Sequence, residues 1–346
     1  MRIVLIAALF GSVLFQTQQA SSQTESTAQV AQPASQQPAQ GETAANGEPQ
    51  VANEETTNKS RFNIPIKTGG GTQVWTDHAY RDGYRIQENA LTGHFRLLDE
   101  KNVRQGWGSK IQCINTLNDL KPKSAQQSDK QQHVAVLLHG LMRTAHSMSP
   151  LETELEKNGV DDTIRFSYAS TRKSMSDHAV ALRMILEDQG AKTTFSFAGH
   201  SMGNIVVRRL IGDLQRDGDP KNILPRCRSM VMLGPPNQGA SIARRLAPTG
   251  VFGWVTGKGG LELGPEWQEF VQKLATPPFP FVIVAGDVSE NTIQNPLVEG
   301  DGDFVVSLDE AKLEGSKEFH TLPVLHSFLM SDERAMKIAV DFIKRH

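Results

Sequence analysis

Cysteine, charge of one sign and long apolar runs are all scarce in this chain, and each scarcity excludes something. Only two cysteines, Cys113 and Cys227, occur in 346 residues, too few for a disulfide framework or a four-thiolate metal site. No Cys-x-x-Cys occurs, and no two histidines stand four apart beside a glutamate, so the common zinc signatures are missing and no cofactor or metal is expected. An Asp301 and Asp303 pair lacks the further ligands of a calcium loop. Lys and Arg number 36 against 38 Asp and Glu, a formal net charge of -2. With both signs interspersed and no basic stripe, nucleic acid is not an expected partner. Beyond the first residues no apolar run approaches the roughly twenty residues that a spanning helix needs.

What the chain does have begins at Met1-Arg2, followed by the apolar stretch Ile3 to Phe15 and the small residues Ala20-Ser21-Ser22. A short basic start, an apolar core and small residues at a cleavage position read as a secretory signal peptide over 1–22, implying export to a periplasm or the medium. An apolar stretch of about thirteen residues is too short to span a bilayer. Residues 23–60 are Gln, Ser, Thr, Ala and Glu with scattered Pro. That composition cannot bury enough apolar surface to offset the entropy of ordering, so a disordered leader is expected. Residues 61–346 suit one domain.

Within that domain, short strand patterns at Thr72 to Trp75, Tyr84 to Gln87, His94 to Leu98 and Lys110 to Ile114 are separated by turn residues, predicting antiparallel strands at the N-terminal edge. Strand and helix patterns then alternate: strand Val134 to Leu138, helix Met148 to Asn158, strand Thr163 to Tyr168, helix Ser174 to Gln189, strand Thr194 to Ala198, helix Asn204 to Arg216, then strands Met230 to Leu233 and Phe281 to Ala285. Alternation of this kind predicts an α/β fold, a mostly parallel central sheet with helices on both faces. On the helix from Asn204, Ile205, Val206, Ile211 and Leu214 face the sheet, leaving Arg208, Arg209 and Asp213 to solvent.

Gly199-His200-Ser201-Met202-Gly203 joins one of these strands to its helix. A serine on so sharp a turn needs glycine two residues to either side, where side chains would collide, and its hydroxyl then projects alone. Upstream, His139-Gly140-Leu141 closes another buried strand abruptly and can aim a backbone N–H. Acyl transfer builds an oxyanion that two such donors stabilise, here the N–H groups of Leu141 and Met202. The helix that starts after Ser201 adds the positive end of its dipole.

These stretches, with Tyr168-Ala169-Ser170-Thr171-Arg172, Leu233-Gly234-Pro235-Pro236-Asn237-Gln238-Gly239, Asp301-Gly302-Asp303 and His326-Ser327-Phe328-Leu329, resemble the α/β-hydrolase superfamily, specifically its bacterial lipase-like and esterase-like serine hydrolases. The resemblance covers 132–346. Where that family often has Thr-Pro-Asn-x-Gly after the sixth strand, this chain has a proline for the threonine. In the resembled sheet order Cys113 and Cys227 lie on well separated strands, so no disulfide is expected.

A serine nucleophile needs a base. His326 follows the apolar Thr321 to Leu325 and precedes a helix opening at Ser331-Asp332-Glu333, a position at the carboxyl edge of the sheet. His320 competes from near the start of that strand. The resemblance implies Asp303 as the acid, in an Asp-Gly-Asp loop before a short apolar pair, with Asp301 and Asp287 as alternatives. Residues 240–280, with Trp254, Gly257, Gly259, Gly260, Trp267 and a helix expected over Pro265 to Leu274, sit where family members insert a lid, and equally fit a packing excursion. Arg143 and Arg172 are candidates for the site mouth, though surface ion pairs explain either as well. The expected function is hydrolysis of a small-molecule or lipid ester by Ser201, His326 and Asp303, with transient contact at a lipid surface. An acyltransferase or thioesterase with the same triad, or a non-catalytic binding module of the same fold, are the alternatives.

Overall fold

The computed structural model describes residues 66–68, 73–120, 131–249, 251–290 and 295–346. The expected signal peptide and leader, and Thr72 of the first expected strand, lie outside them. Four strands, β1 (Trp75–Arg81), β2 (Tyr84–Asn89), β3 (Phe95–Leu98) and β4 (Arg104–Gly108), pair in order as an antiparallel meander. They close on each other as a sheet of their own rather than extending the edge of the central one. Helix α1 (Lys110–Leu120) covers this sheet, burying Cys113 and Leu117 against Ile86 and Leu97.

Helix α1 corrects the strand expected over Lys110 to Ile114. Cys113 and Leu117 are four apart and share a buried face, whereas Ile111 is exposed, which is a helical period. Ser109 and Gln112 form a reciprocal pair: the Gln112 N–H donates to Ser109 Oγ and the Ser109 N–H to Gln112 Oε1. The Ser-x-x-Gln spacing was the available signal for this helix start. Both cysteines are free thiols, Cys113 being on this helix rather than on a strand.

The central sheet has six parallel strands in the order β10-β9-β8-β7-β5-β6: β5 (Gln132–Leu138), β6 (Asp162–Phe166), β7 (Thr193–His200), β8 (Cys227–Leu233), β9 (Phe281–Gly286) and β10 (Glu318–Leu322). Val134, Val136 and Leu138 of β5 face one core, packed under helices α3 (Met175–Asp188) and α4 (Met202–Asp217). Ala135 and Leu137 face the other, under α2 (Ser149–Lys157) and the C-terminal helix Glu333–Arg345. Burial on both faces is why these strands read as apolar runs instead of alternating. The chain goes from β5 outward to β6 and then returns to the far side of β5 as β7, so the sheet changes winding direction between β5 and β7. Ligand sites of open α/β sheets form at the carboxyl ends of such a switch point, where His139 to Leu141 and Ser201 stand.

Three sequence expectations move. Arg208 and Asp213 are buried, not wet: the Arg208 guanidinium donates to the carbonyls of Ala275 and Asn237 and to Asn237 Oδ1, and the Asp213 carboxylate accepts from Arg209 and Arg216. The helix expected over Pro265 to Leu274 shortens to Trp267–Phe270 and a 3-10 turn at Val271–Lys273, after which the Ala275 N–H donates to the Arg208 carbonyl. The last strand is Glu318–Leu322 rather than Thr321 to Leu325, which puts His320 in its middle.

Candidate active site

Ser201 is the residue between β7 and α4, with φ 52 and ψ -122, a backbone region that side-chain-bearing residues rarely occupy. The turn is held by the Ser201 N–H on the Leu233 carbonyl at 2.9 Å and by Asn204 Nδ2 on the Ser201 carbonyl at 3.0 Å. A Cβ at Gly199 would fall 2.8 Å from the Asn204 nitrogen, and one at Gly203 would fall 2.7 Å from the Leu138 carbonyl. Both glycines are therefore steric requirements of this turn.

The turn after β5 lies directly against it, since a Cβ at Gly140 would come within 3.1 Å of Ser201 Cβ. His139 is fully buried and stacks on Tyr168 with ring centroids 4.0 Å apart. Its Nε2 accepts from the Tyr168 N–H, which assigns the ring proton to Nδ1, and Nδ1 donates to the Gly140 carbonyl at 2.8 Å. The Tyr168 hydroxyl donates to the His139 carbonyl, and the Arg143 N–H donates to the Gly140 carbonyl at 3.1 Å. A trans peptide whose C=O is held this way turns its N–H, that of Leu141, to the opposite side. Among the described residues neither the Leu141 nor the Met202 N–H donates to another protein group. Burial pushes His139 down to about 4, so the ring is neutral and keeps this tautomer at neutral pH.

His326 opens a 3-10 turn, His326–Ser331, four residues beyond β10. Its Nδ1 lies 2.6 Å from Asp303 Oδ2, and its backbone N–H donates to the Asp303 carbonyl at 3.0 Å. Both side chains are buried, Asp303 at 1% exposure and His326 at 7%. Asp303 Oδ1 accepts the N–H groups of Val305 and Val306, a turn made possible by Phe304 at φ 81. The ends of adjacent strands press these groups together: a Cβ at Gly234, after β8, would lie 3.0 Å from His326 Nδ1, and one at Gly286, ending β9, would lie 2.6 Å from Asp303 Cβ. The alternatives are engaged elsewhere. Asp287 accepts from the Ser289 N–H, Asp301 is exposed, and His320 pairs with Glu318 at 2.8 Å.

Sequence reasoning passed over His200, although it lies inside the elbow motif. His200 Nε2 donates to the His326 carbonyl at 2.9 Å, and the two rings are 4.9 Å apart. Burial, followed by the neighbouring His326, holds His200 well below the usual histidine range. The residue before the serine thus ties the elbow to the loop that carries His326.

The stretch after β8 folds over this region as helix α5 (Ser241–Leu246) and two helical pieces within α6 (Val251–Leu263), joined at Gly257 with φ 61. A Cβ at Gly257 would overlap the Thr171 carbonyl at 1.8 Å, and one at Gly259 would meet the Ser170 carbonyl at 2.7 Å, Met202 Sδ at 2.9 Å and Leu141 Cδ1 at 3.4 Å. The Glu262 carboxylate, which burial raises above its ordinary range, accepts the N–H of Met175 at the start of α3. Leu325 and Phe328, which bracket His326, remain 42% and 57% exposed. Among the described residues no cluster of His, Cys, Asp and Glu has the makeup of a metal site, and no helix is long and apolar enough to cross a membrane.

The parallel sheet, its winding and the strand-turn-helix serine define an α/β-hydrolase-like fold. Residues 128–233, a stretch that contains β5 and Ser201 and stops at the end of β8, match the protein family described as "Putative serine esterase (DUF676)". Similar solved structures include a mature lipase of Bacillus licheniformis, BlEst2, at 16% identity over 64% of this chain and 96% of that one with a TM-score of 0.49. A metagenomic carboxyl esterase, MGS0156, is similar at 13% identity over 63% of this chain and 71% of its own, TM-score 0.45. A lipase-esterase related protein of Clostridium acetobutylicum shows 12% identity over 63% and 95%, TM-score 0.37. No curated protein matches the chain.

Proposed function

We propose that the chain is an exported serine hydrolase that cleaves carboxylic esters through an acyl-enzyme. Ser201 Oγ attacks the ester carbonyl carbon while His326 takes its proton through Nε2. Asp303 fixes the imidazole tautomer and stabilises the imidazolium. The N–H groups of Leu141 and Met202 receive the oxyanion. Collapse of that intermediate expels the alcohol, which carries away the proton held by His326, and water then releases the acid by the same steps in reverse order. The observation that carries this reading is the buried 2.6 Å contact of His326 Nδ1 with Asp303 Oδ2 beside the strained Ser201 turn. The serine esterase family matched over 128–233 supports the ester as substrate. The exposed Leu325 and Phe328 support contact with an apolar substrate tail or lipid surface. Export is supported by the basic and apolar residues at 1–15 ahead of Ala20-Ser21-Ser22.

The test is hydrolysis of p-nitrophenyl esters of graded acyl length together with fluorophosphonate labelling, for the wild type and Ser201→Ala. Activity and label are both expected in the wild type and absent from the variant. A folded wild type that neither turns over nor labels would sink the proposal. Fractionation of cells expressing the full chain, with N-terminal sequencing of the product, tests export and cleavage near residue 22.

A further inference from the structure

We infer that Gln73, just ahead of β1 in the antiparallel sheet, is a positioning residue for the turn that carries the Leu141 N–H. Gln73 Nε2 donates to the Arg143 carbonyl at 2.6 Å. Gln73 Oε1 accepts from the Ser170 hydroxyl at 2.8 Å, and that fully buried hydroxyl accepts in turn from the Met142 N–H at 3.0 Å. One planar amide therefore holds both ends of the segment Met142-Arg143, immediately after Leu141. The segment needs holding. It belongs to no helix or strand, and Met142 sits at φ 60, where a side-chain-bearing residue stays only when its surroundings impose it.

Gln73 can act as a fixed clamp because β1 is itself fixed to the loop that bears Ser170. The Asp77 N–H donates to the Ser167 carbonyl at 2.8 Å, Asp77 Oδ2 accepts the Ser167 N–H at 2.7 Å, and Thr76 Oγ1 accepts the Ala169 N–H at 3.1 Å. Gln73, Thr76 and Asp77 lie outside the stretch matched by the esterase family. The antiparallel sheet thus supplies the oxyanion turn with a support that the matched segment lacks by itself. The chemistry requires an amide: Arg143 offers an acceptor and Ser170 a donor, and of the similarly shaped side chains only glutamine answers both. A glutamate there would set a carboxylate oxygen against a carbonyl oxygen.

The inference takes its kinetic consequence from the hydrolase reading, and two kinds of measurement keep the two apart. Gln73→Glu preserves shape, Gln73→Ala removes the amide, and Ser170→Ala removes the relay from its other side. Because losing one oxyanion donor outright costs about a hundredfold or more in kcat, a displaced donor should cost at least about tenfold. That drop is expected for each variant on p-nitrophenyl acetate, with KM changed by less than about twofold and with an alkylboronic acid, which forms a tetrahedral adduct, binding weaker in step. The double variant Gln73→Ala/Ser170→Ala should be no slower than the worse single one, since both break one chain of contacts. Independently of activity, the Met142 amide should exchange its hydrogen at least about tenfold faster in Gln73→Glu while the amides of β7 keep their protection. In an active enzyme, an unchanged kcat for folded Gln73→Glu overturns the inference. If the wild type proves inactive the hydrolase reading falls, and unchanged exchange at Met142 then overturns the clamp.

Discussion

Both carboxylate oxygens of Asp303 are committed: Oδ2 to His326 Nδ1, and Oδ1 to the N–H groups of Val305 and Val306. In the proposed triad, a carboxylate so held orients the imidazole but has no freedom to follow it. Asp303→Asn keeps the shape and offers an N–H where an acceptor is needed, so kcat should fall by about three to four orders of magnitude, as the loss of the correct tautomer does in related triads. Asp301→Asn and Asp287→Asn should stay within about threefold of wild type, since neither carboxylate faces His326. Steady-state kinetics on one soluble ester decide this, and equal losses for Asp301→Asn would reassign the acid. Around Asp301-Gly302-Asp303 only the resemblance favoured the second aspartate, because which of the two contacts His326 is set by the positive φ of Phe304 and by two backbone donors. Ser201 was legible for the opposite reason. Its turn cannot be built without Gly199 and Gly203, so the steric demand is written into the residue types. Gln73, Ser170 and His200 act by hydrogen bonds to backbone groups distant in sequence, and such bonds leave no local pattern.

Elements with a long apolar period were legible almost to their ends: α3 begins behind the Ser174 cap, and the strands of the central sheet differ from the sequence reading by one to three residues. Helix α1 was misread because Ile-x-Cys-Ile satisfies a strand period as well as a helical one over four residues. The residues of α6 gave only glycines and aromatics, compatible with a lid or with packing. What decides its place is contact, since Gly257 and Gly259 bring the helix backbone onto the carbonyls of Thr171 and Ser170. Gly257→Ala meets both a positive φ and a direct overlap with backbone, and should cost more than about 3 kcal/mol or release α6 from the site. Gly159→Ala has the same sign of φ, 85, and nothing within 4 Å, so it should cost only about 1 kcal/mol. Urea midpoints give the two costs, and limited proteolysis within 251–263 detects release. Comparable costs would mean that close approach at Gly257 is not what seats α6. Removing the anchor from the other side, Glu262→Ala should also increase cleavage within 251–263, because the Met175 N–H loses its buried acceptor.

At the scale of the molecule the nearly balanced charge gives no strong overall field, and the pH response is set by what is buried. His139, His178 and His200 are each at most 2% exposed. Burial is the largest cause in all three, taking His139 to about 4, His178 to about 3 and His200 well below the ordinary value of 6.5. The folded state keeps these rings neutral, whereas the unfolded chain protonates them as pH falls through about 6.5. Stability is therefore fully present above that pH and is lost progressively as pH falls toward the folded values, each excess proton on the unfolded chain contributing about 1.4 kcal/mol per pH unit. Asp77 and Glu262 act in the opposite sense. Burial raises their folded values, so their protonation as pH falls favours the folded state. Urea unfolding between pH 7.5 and 5 should show a stability loss that steepens below 6.5. His178 is fully buried, lies 4.7 Å from the Tyr168 ring and takes no part in the turns around Ser201 and His326, which makes it the cleanest to replace. His178→Phe should reduce the slope by about one proton's worth, about 1.4 kcal/mol per pH unit. The slope isolates titration from packing, because any repacking cost beside Tyr168 is the same at every pH. A stability curve flat from pH 7.5 to 5, or a slope unchanged in His178→Phe, would mean that these rings are charged or hydrated in the folded protein, and the neutral tautomer assigned to His139 at the turn before Leu141 would have to be abandoned with them.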